Sequence, residues 1–295
     1  MNRVVITGLG AVTAIGNTVS EYWENLIAGK GGISPITRIS TEEHDTKVAA
    51  QVPDSFEAEA SRYWKKRQLS ATTRATRTGL ASTGEAVADS GIDFTACDRS
   101  RVAVIYGVID NSLEDAELDK PLNITLRKMP SELPAMVSIK YGLTGAAFNV
   151  STACASSAYA MAIAKQMIEA GMYDTVIVGG VSNTITHSGI KGFNQLLAMS
   201  VNPDPETACR PFTRDRDGFI MGEGAGTLIL ESEQTAKARG ARIYCTLAGA
   251  HMNSEAYSMT APKTDGAGMA QTMAAALENA GLQPEHLDYI NAHGT

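Results

Sequence analysis

Residues 148–162, F-N-V-S-T-A-C-A-S-S-A-Y-A-M-A, constrain the fold more than any other stretch of the chain. An apolar approach (Ala146, Ala147, Phe148, Val150) has strand character and runs into small residues with Cys154 at their centre. The alanine-rich segment that follows, Ala155 to Gln166, predicts a helix. At a sharp strand-to-helix turn, small neighbours let the backbone bend and leave the central side chain accessible. The unpaired amides and dipole of the following helix favour a thiolate over a thiol, and the thiolate is the nucleophile. One competing reading stands beside this: free cysteine is among the most buried residue types, so Cys154 could be a small core side chain among alanines.

The rest of the chain alternates in the same way. Val4–Leu9, Val102–Gly107, Asp174–Gly180, Thr227–Glu231, Ile243–Ala250 and Asp288–Ala292 are short apolar runs that read as strands. Helices are expected from a Ser20 cap to Gly29, over about Ala71–Ser90, up to Gly240, and over Gly266–Gly281. Met269, Met273, Ala276 and Leu277 form one stripe of the last helix and read as core. Residues 33–61 read as turn-rich loop. Strands alternating with helices predict an α/β fold with mainly parallel sheets. Gly8, Gly10 and Gly16 do not make a dinucleotide fingerprint, because the third glycine arrives too late.

At 295 residues the chain can bury one large core or two fused halves. Its net charge of −7 gives nucleic acid or an anionic membrane no electrostatic basis. Cys97, Cys154, Cys209 and Cys245 form no C-x-x-C pair, so neither a zinc site nor a disulfide framework is expected. The first ten residues do not suit a signal peptide, and no run approaches the roughly 18 apolar residues of a membrane span. A reducing, cytoplasmic setting is the expectation. Against the acidic background stands Arg62-Tyr-Trp-Lys-Lys-Arg67, either a solvated face or a docking patch that steers an acidic partner.

Four motifs then occur in order: S-T-A-C-A-S-S (151–157), R-P-F-T-R-D-R-D-G-F-I-M-G-E-G-A-G (210–226), M-T-A-P (259–262) and N-A-H-G-T (291–295). Together they resemble the elongating β-ketoacyl-[acyl carrier protein] synthases, closest to the type II fatty acid and polyketide ketosynthases. The resemblance spans the whole chain. It implies a thiolase-like layered fold of two similar α/β halves: residues 1–242 with the nucleophile elbow, and residues 243–295 opening an incomplete second half. It implies an acyltransferase that carries out decarboxylative Claisen condensation of an acyl-enzyme thioester with malonyl-acyl carrier protein.

By the same resemblance Cys154 is the acyl-accepting nucleophile, and its own N–H serves the oxyanion hole. His293 matches the first of two family histidines that promote decarboxylation and stabilise the enolate. Phe193 and Phe219 match positions lining the mouth or the acyl and pantetheine channel. Thr260 is a candidate for holding the pantetheine arm, and Arg214-Asp-Arg-Asp217 reads as an ion-paired structural loop. Lys65, Lys66, Arg67, Arg127 and Lys128 become carrier-protein docking candidates. No metal or cofactor is implied, since the acyl chain rides on the carrier's phosphopantetheine. A homodimer, or a heterodimer with a second ketosynthase-like subunit, is the expected assembly.

Three departures qualify the resemblance. The family continues past the point where this sequence stops, with a lysine, a second histidine and a Gly/Phe turn. The chain therefore reads as truncated, with severely impaired condensation expected of a 295-residue form; loss of one oxyanion donor alone costs about 10²–10³ in rate. Asp110 and Asn111 stand where housekeeping members have a glycine- and serine-rich loop, which points to a specialised polyketide or aryl-polyene-type pathway. Leu197 replaces a basic residue that some members use for docking. A non-catalytic chain-length-type subunit is disfavoured by Cys154, and a thiolase by the motifs at 210–226 and 291–295.

Overall fold

The computed structural model describes residues 2–109 and 124–295. β1 (Val4–Thr13) leads to α1 (Val19–Ile27), a ribbon of β2 (Ser34–Pro35) and β3 (Val48–Ala49), then α2 (Phe56–Tyr63), α3 (Lys66–Leu69) and α4 (Arg74–Ser90). Next come β4 (Val102–Gly107), α5 (Ile124–Arg127), α6 (Glu132–Tyr141), β5 (Ala147–Val150), α7 (Ser156–Glu169), β6 (Thr175–Ser182) and α8 (His187–Gln195). β7 (Gly224–Ser232), α9 (Glu233–Ala238), β8 (Cys245–Thr246) and α10 (Ala267–Ala280) follow.

The main sheet has the order β5-β4-β6-β7-β1-β8. β4 pairs parallel with β5 and β6, whereas β6–β7, β7–β1 and β1–β8 are antiparallel. The sheet is therefore mixed, against the expectation of mainly parallel pairing. Alternation of strand and helix does not encode direction: α8 and the 196–223 excursion separate β6 from β7, yet β7 runs back antiparallel along β6.

Period-two alternation along β4 builds two cores. Val104 and Tyr106 face a cluster with Val12, Phe56, Trp64, Leu80 and Ile229 beneath α4. Ala103 and Ile105 face Ala160, Ala164, Ile168, Val176 and Leu230 beneath α7. A strand covered on both faces reads as an unbroken apolar run, which is why β4 is visible in sequence. The glycines near the N-terminus are packing glycines. A Cβ at Gly10 would sit 1.9 Å from the Ser82 carbonyl oxygen, and one at Gly8 2.3 Å from that of Ala86, so α4 rests directly on β1.

A chain of buried hydroxyls ties α4, β4 and β7 together. The Tyr106 hydroxyl lies 2.6 Å from Thr83 Oγ1 and 3.1 Å from Thr227 Oγ1, and Ser82 Oγ is 2.8 Å from Thr227 Oγ1. Burial pushes the Tyr106 phenol up to about 12, so it stays protonated. Tyr106→Phe should cost about 1 kcal/mol, read as a lower denaturant midpoint at unchanged slope.

Several boundaries differ from the sequence expectations. Thr18, not Ser20, caps α1, its side chain accepting from the Glu21 N–H, and Thr73 starts α4 by accepting from Thr76 N–H. Residues 33–61 contain the β2–β3 ribbon and much of α2. The strand expected at 243–250 shrinks to Cys245–Thr246, and 288–292 joins no ladder among the described residues. The stripe on α10 is not core: Met269 and Met273 are 53% and 50% exposed. α10 packs instead through small residues, since a Cβ at Gly249 would lie 2.1 Å from the Ala276 carbonyl oxygen.

Candidate active site

The parallel strands β4, β5 and β6 bring their C-terminal ends together, where open α/β sheets place ligands. The chain leaves β5 through residues 151–155 and enters α7. Two glycines admit the first turn of α7: a Cβ at Gly107 would lie 2.4 Å from Ser157 N, and one at Gly180 2.7 Å from Ser157 Oγ. Neither glycine stands out in the sequence as a site residue.

The turn itself is strained and locked. Ala153 has a φ of 50°, a left-handed conformation that costs an L-residue roughly 1–2 kcal/mol. Ser156 Oγ accepts from the Thr152 N–H at 2.9 Å and donates to the Ala153 carbonyl at 2.6 Å, holding that conformation. Thr152 and Ala153 carbonyls accept from the Ala155 and Ser156 amides at 3.2 and 3.1 Å. Cys154 stands at the crest, exposed, one residue before the Ala155 N-cap. The reading of Cys154 as a buried core side chain is thereby excluded. Cys97, Cys209 and Cys245 are exposed too, so exposure alone does not distinguish Cys154. Its place directly after the left-handed Ala153, at the hydrogen-bonded turn between β5 and α7, does.

Phe193 and Phe219 meet edge to face, 5.5 Å between centroids, against a small core of Ile36, Ala49, Ile185, Ile190, Met199 and Met221. Phe193 comes from α8, which follows β6, and Phe219 is fixed by backbone hydrogen bonds to Ala198 (3.0 Å) and Ser200 (2.9 Å). The charged turn is organised by Arg210, a residue sequence reasoning passed over. Its guanidinium lies 3.1 Å from Asp217 and 3.6 Å from Asp215, and donates to the Thr207 carbonyl at 2.7 Å. The Ser200 hydroxyl, 2.7 Å away, holds the Asp217 carboxyl below the usual carboxylate range.

His293 is exposed, and its neighbour Gly294 lies against Pro211 and Phe212, with a Cβ there 3.6 and 3.8 Å from them. N-A-H-G-T is thus seated on R-P-F-T, but no hydrogen bond links His293 to Cys154 among the described residues. Tyr159 of α7 donates to the Asn253 carbonyl at 2.8 Å, joining the elbow helix to the segment before Thr260. Thr260 itself is exposed.

Arg62, Lys65, Lys66, Arg67, Ile139 and Lys140 line an open groove of about 830 Å³. Lys65, Lys66, Arg67 and Lys128 are exposed, as a docking role requires. Arg127 is not: at 3% exposure it donates to the Ser70 carbonyl at 2.8 Å, bracing the link between α3 and α4. That corrects its docking assignment, because a guanidinium itself buried and turned inward onto a loop carbonyl is not presented to a partner. Leu197 is 88% exposed with a φ of 53°. Asp110 and Asn111 lie outside the described residues. No described helix is long and apolar enough to cross a membrane.

Comparison with known proteins points the same way. Residues 1–236 match the family model of the β-ketoacyl synthase N-terminal domain, and residues 244–295 that of the C-terminal domain. A 3-oxoacyl-[acyl-carrier-protein] synthase 2 from Staphylococcus aureus (strain COL) is 39% identical over 304 residues, covering 99% of this chain and 73% of its own length. The ishigamide ketosynthase/chain length factor superposes with a TM-score of 0.87 at 32% identity, over 100% of this chain and 73% of that one. A ketosynthase in complex with its type II polyketide acyl-carrier protein and bound to the hexaketide gives a TM-score of 0.84 at 30% identity, over 99% and 73%.

Proposed function

The chain belongs to the β-ketoacyl synthase family, and from that premise we propose how its own residues carry the reaction. The activity is acyl transfer: condensation with malonyl-acyl carrier protein in fatty acid or polyketide synthesis, on a thiolase-like fold. The Cys154 thiolate attacks the acyl thioester carbonyl, its carrier thiolate leaves and takes up a proton, and the acyl group becomes a Cys154 thioester. Malonyl-carrier then loses carbon dioxide, its enolate attacks the Cys154 thioester, and the cysteine thiolate departs. Splitting the condensation in this way replaces one hard step by two easier ones.

The observation that carries this assignment is the exposed Cys154 on a strained turn that Ser156 locks. The Cys154 N–H is assigned to the oxyanion hole because it sits at the crest of the turn, beside the nucleophile's own side chain. His293 is assigned as a donor toward the enolate, on its motif alone. Phe193 and Phe219 wall the channel, and Thr260 holds the pantetheine arm. The two halves divide near residue 242, a boundary supported by the gap between the two family-model matches. No cofactor is required beyond the carrier's phosphopantetheine. Four exposed free cysteines suit a reducing cytoplasm. A homodimer or a ketosynthase heterodimer completes the assembly; a purely non-catalytic subunit has no use for the Cys154 elbow.

Site-resolved alkylation tests the nucleophile. Incubation with an acyl-carrier protein should protect Cys154 from iodoacetamide and leave Cys97, Cys209 and Cys245 as reactive as before. Equal labelling of Cys154 with and without the acyl-carrier would overturn the assignment.

The carrier is expected to dock over Lys65, Lys66, Arg67 and Lys128. Reversing Lys65, Lys66 and Lys128 to Glu should slow acylation from the carrier by about 10-fold or more and abolish its salt dependence. Acylation from a small acyl thioester should be unchanged. Equal losses with both donors would make the lysines structural.

A further inference from the structure

Helix α8, which carries Phe193, begins at a pair of histidines. His44, on the loop between β2 and β3, is 6% exposed, and its Nε2 lies 2.9 Å from Nδ1 of His187, the first residue of α8. The rings tilt at 37° with centroids 5.2 Å apart. The same loop grips the other end of the helix: Thr46 Oγ1 is 2.9 Å from Asn194 Oδ1 and 3.0 Å from the Ser200 carbonyl. The loop therefore spans α8 end to end, and Phe193 lies between the two attachments.

Two ring nitrogens 2.9 Å apart hold one hydrogen between them, one donating and the other accepting. The contact survives with both rings neutral or with one charged. It does not survive with both charged, because two N–H groups would then meet head-on beside two cations.

We propose that His44 and His187 are positioning residues whose single shared proton seats α8, and with it Phe193, and that uptake of a second proton releases the helix and slows acylation of Cys154. This rests on the reading of Phe193 as a channel wall.

The surroundings agree in direction. Burial, and next the neighbouring His187, hold His44 below the ordinary imidazole range. Glu43 pulls the other way, while Lys47 on the loop and Lys191 on α8 oppose added positive charge. A folded His44 that binds its proton less readily than an unfolded one makes the native state short of protons in acid. Its contribution is complete above about pH 6.5 and is lost as pH falls below that value.

Hydrogen exchange over residues 190–195, corrected for intrinsic rates, tests the seat of the helix without any activity measurement. In the wild type, protection should fall by about 10-fold between pH 7.5 and pH 5.5. In His44→Gln, and separately in His187→Gln, which keep a hydrogen-bonding group without the second titration, protection should change by less than about 2-fold. The acylation rate at Cys154 should show the matching difference, with a steeper acid limb in the wild type than in either variant. Wild-type protection that is independent of pH, or an equal loss in both variants, overturns the proposal. So do acid limbs that coincide while the exchange difference is present, since α8 would then be seated by the pair without affecting Cys154. If Cys154 accepts no acyl group at any pH, the functional reading fails, and the exchange experiment still judges the histidine pair.

Discussion

Cys154→Ala abolishes acyl-enzyme formation and lowers condensation by about 10³-fold or more, because the covalent step has no other nucleophile. Stability is expected to change by less than about 0.5 kcal/mol, since the side chain is exposed and its removal opens no cavity. The strain of the turn resides in the Ala153 backbone, and the lock resides in Ser156, so both persist in the variant. Cys154→Ser keeps the shape but presents a hydroxyl that is almost wholly protonated at neutral pH, and its loss should approach that of alanine. The comparison set is built in: alanine at Cys97, Cys209 or Cys245, all likewise exposed, should leave turnover unchanged. A folded Cys154→Ala protein that still forms a covalent acyl intermediate would show that another cysteine carries the chain.

Gly107→Val is the second large effect, and it acts on fold and chemistry together. A Cβ at Gly107 would stand 2.4 Å from Ser157 N and 2.5 Å from the Ser156 carbonyl carbon, both backbone atoms. Neither can rotate away, so α7 must lift from the end of β4. Overpacking of this kind costs about 1–3 kcal/mol or more, measurable by chemical denaturation. Displacing the Ser156 lock also displaces Cys154, and a shift of about 1 Å at a reacting atom costs on the order of 10²-fold in rate. Gly192→Ala is the control. Nothing lies within 4 Å of a Cβ there, and the site is inside α8, so stability should rise by about 0.5–1 kcal/mol. If Gly107→Val folds with wild-type stability and acylates at the wild-type rate, the close approach of β4 to α7 does not set the elbow.

What could be read from residues alone follows from how local each signal is. β4 was legible to the residue because both its faces are covered, which leaves an unbroken apolar run ended by Gly107. α10 was legible from its bounding glycines at 266 and 281, both with positive φ. Its packing face was not, because it contacts residues 249–253 through Ala276 and Ala280 against Gly249 and through the polar side chains of Thr272 and Asn279, and hydrophobic periodicity pointed to the methionines instead. Strand direction was not legible either, since β7 is reached through a long excursion whose length says nothing of its return.

The site divided in the same way. Cys154 announced itself by the small residues around it, whereas Gly107 and Gly180 act across strand ends that only folding brings together, and Ser156, although in the same motif, shows its role only in the bonds it makes to Thr152 and Ala153. Arg127 misled because charge in a sequence reads as surface, and here the guanidinium turns inward to a carbonyl left over between two helices. The histidine pair was invisible because 143 positions separate its members.

The most direct test of the assignment is peptide mass spectrometry of the intact chain after incubation with an acyl-carrier protein and, separately, with a small acyl thioester. The account predicts one acyl group, on the peptide containing Cys154, with both donors, and none on that peptide in Cys154→Ala. An acyl group found only on Cys97, Cys209 or Cys245, or none on any cysteine of the folded protein, would contradict it.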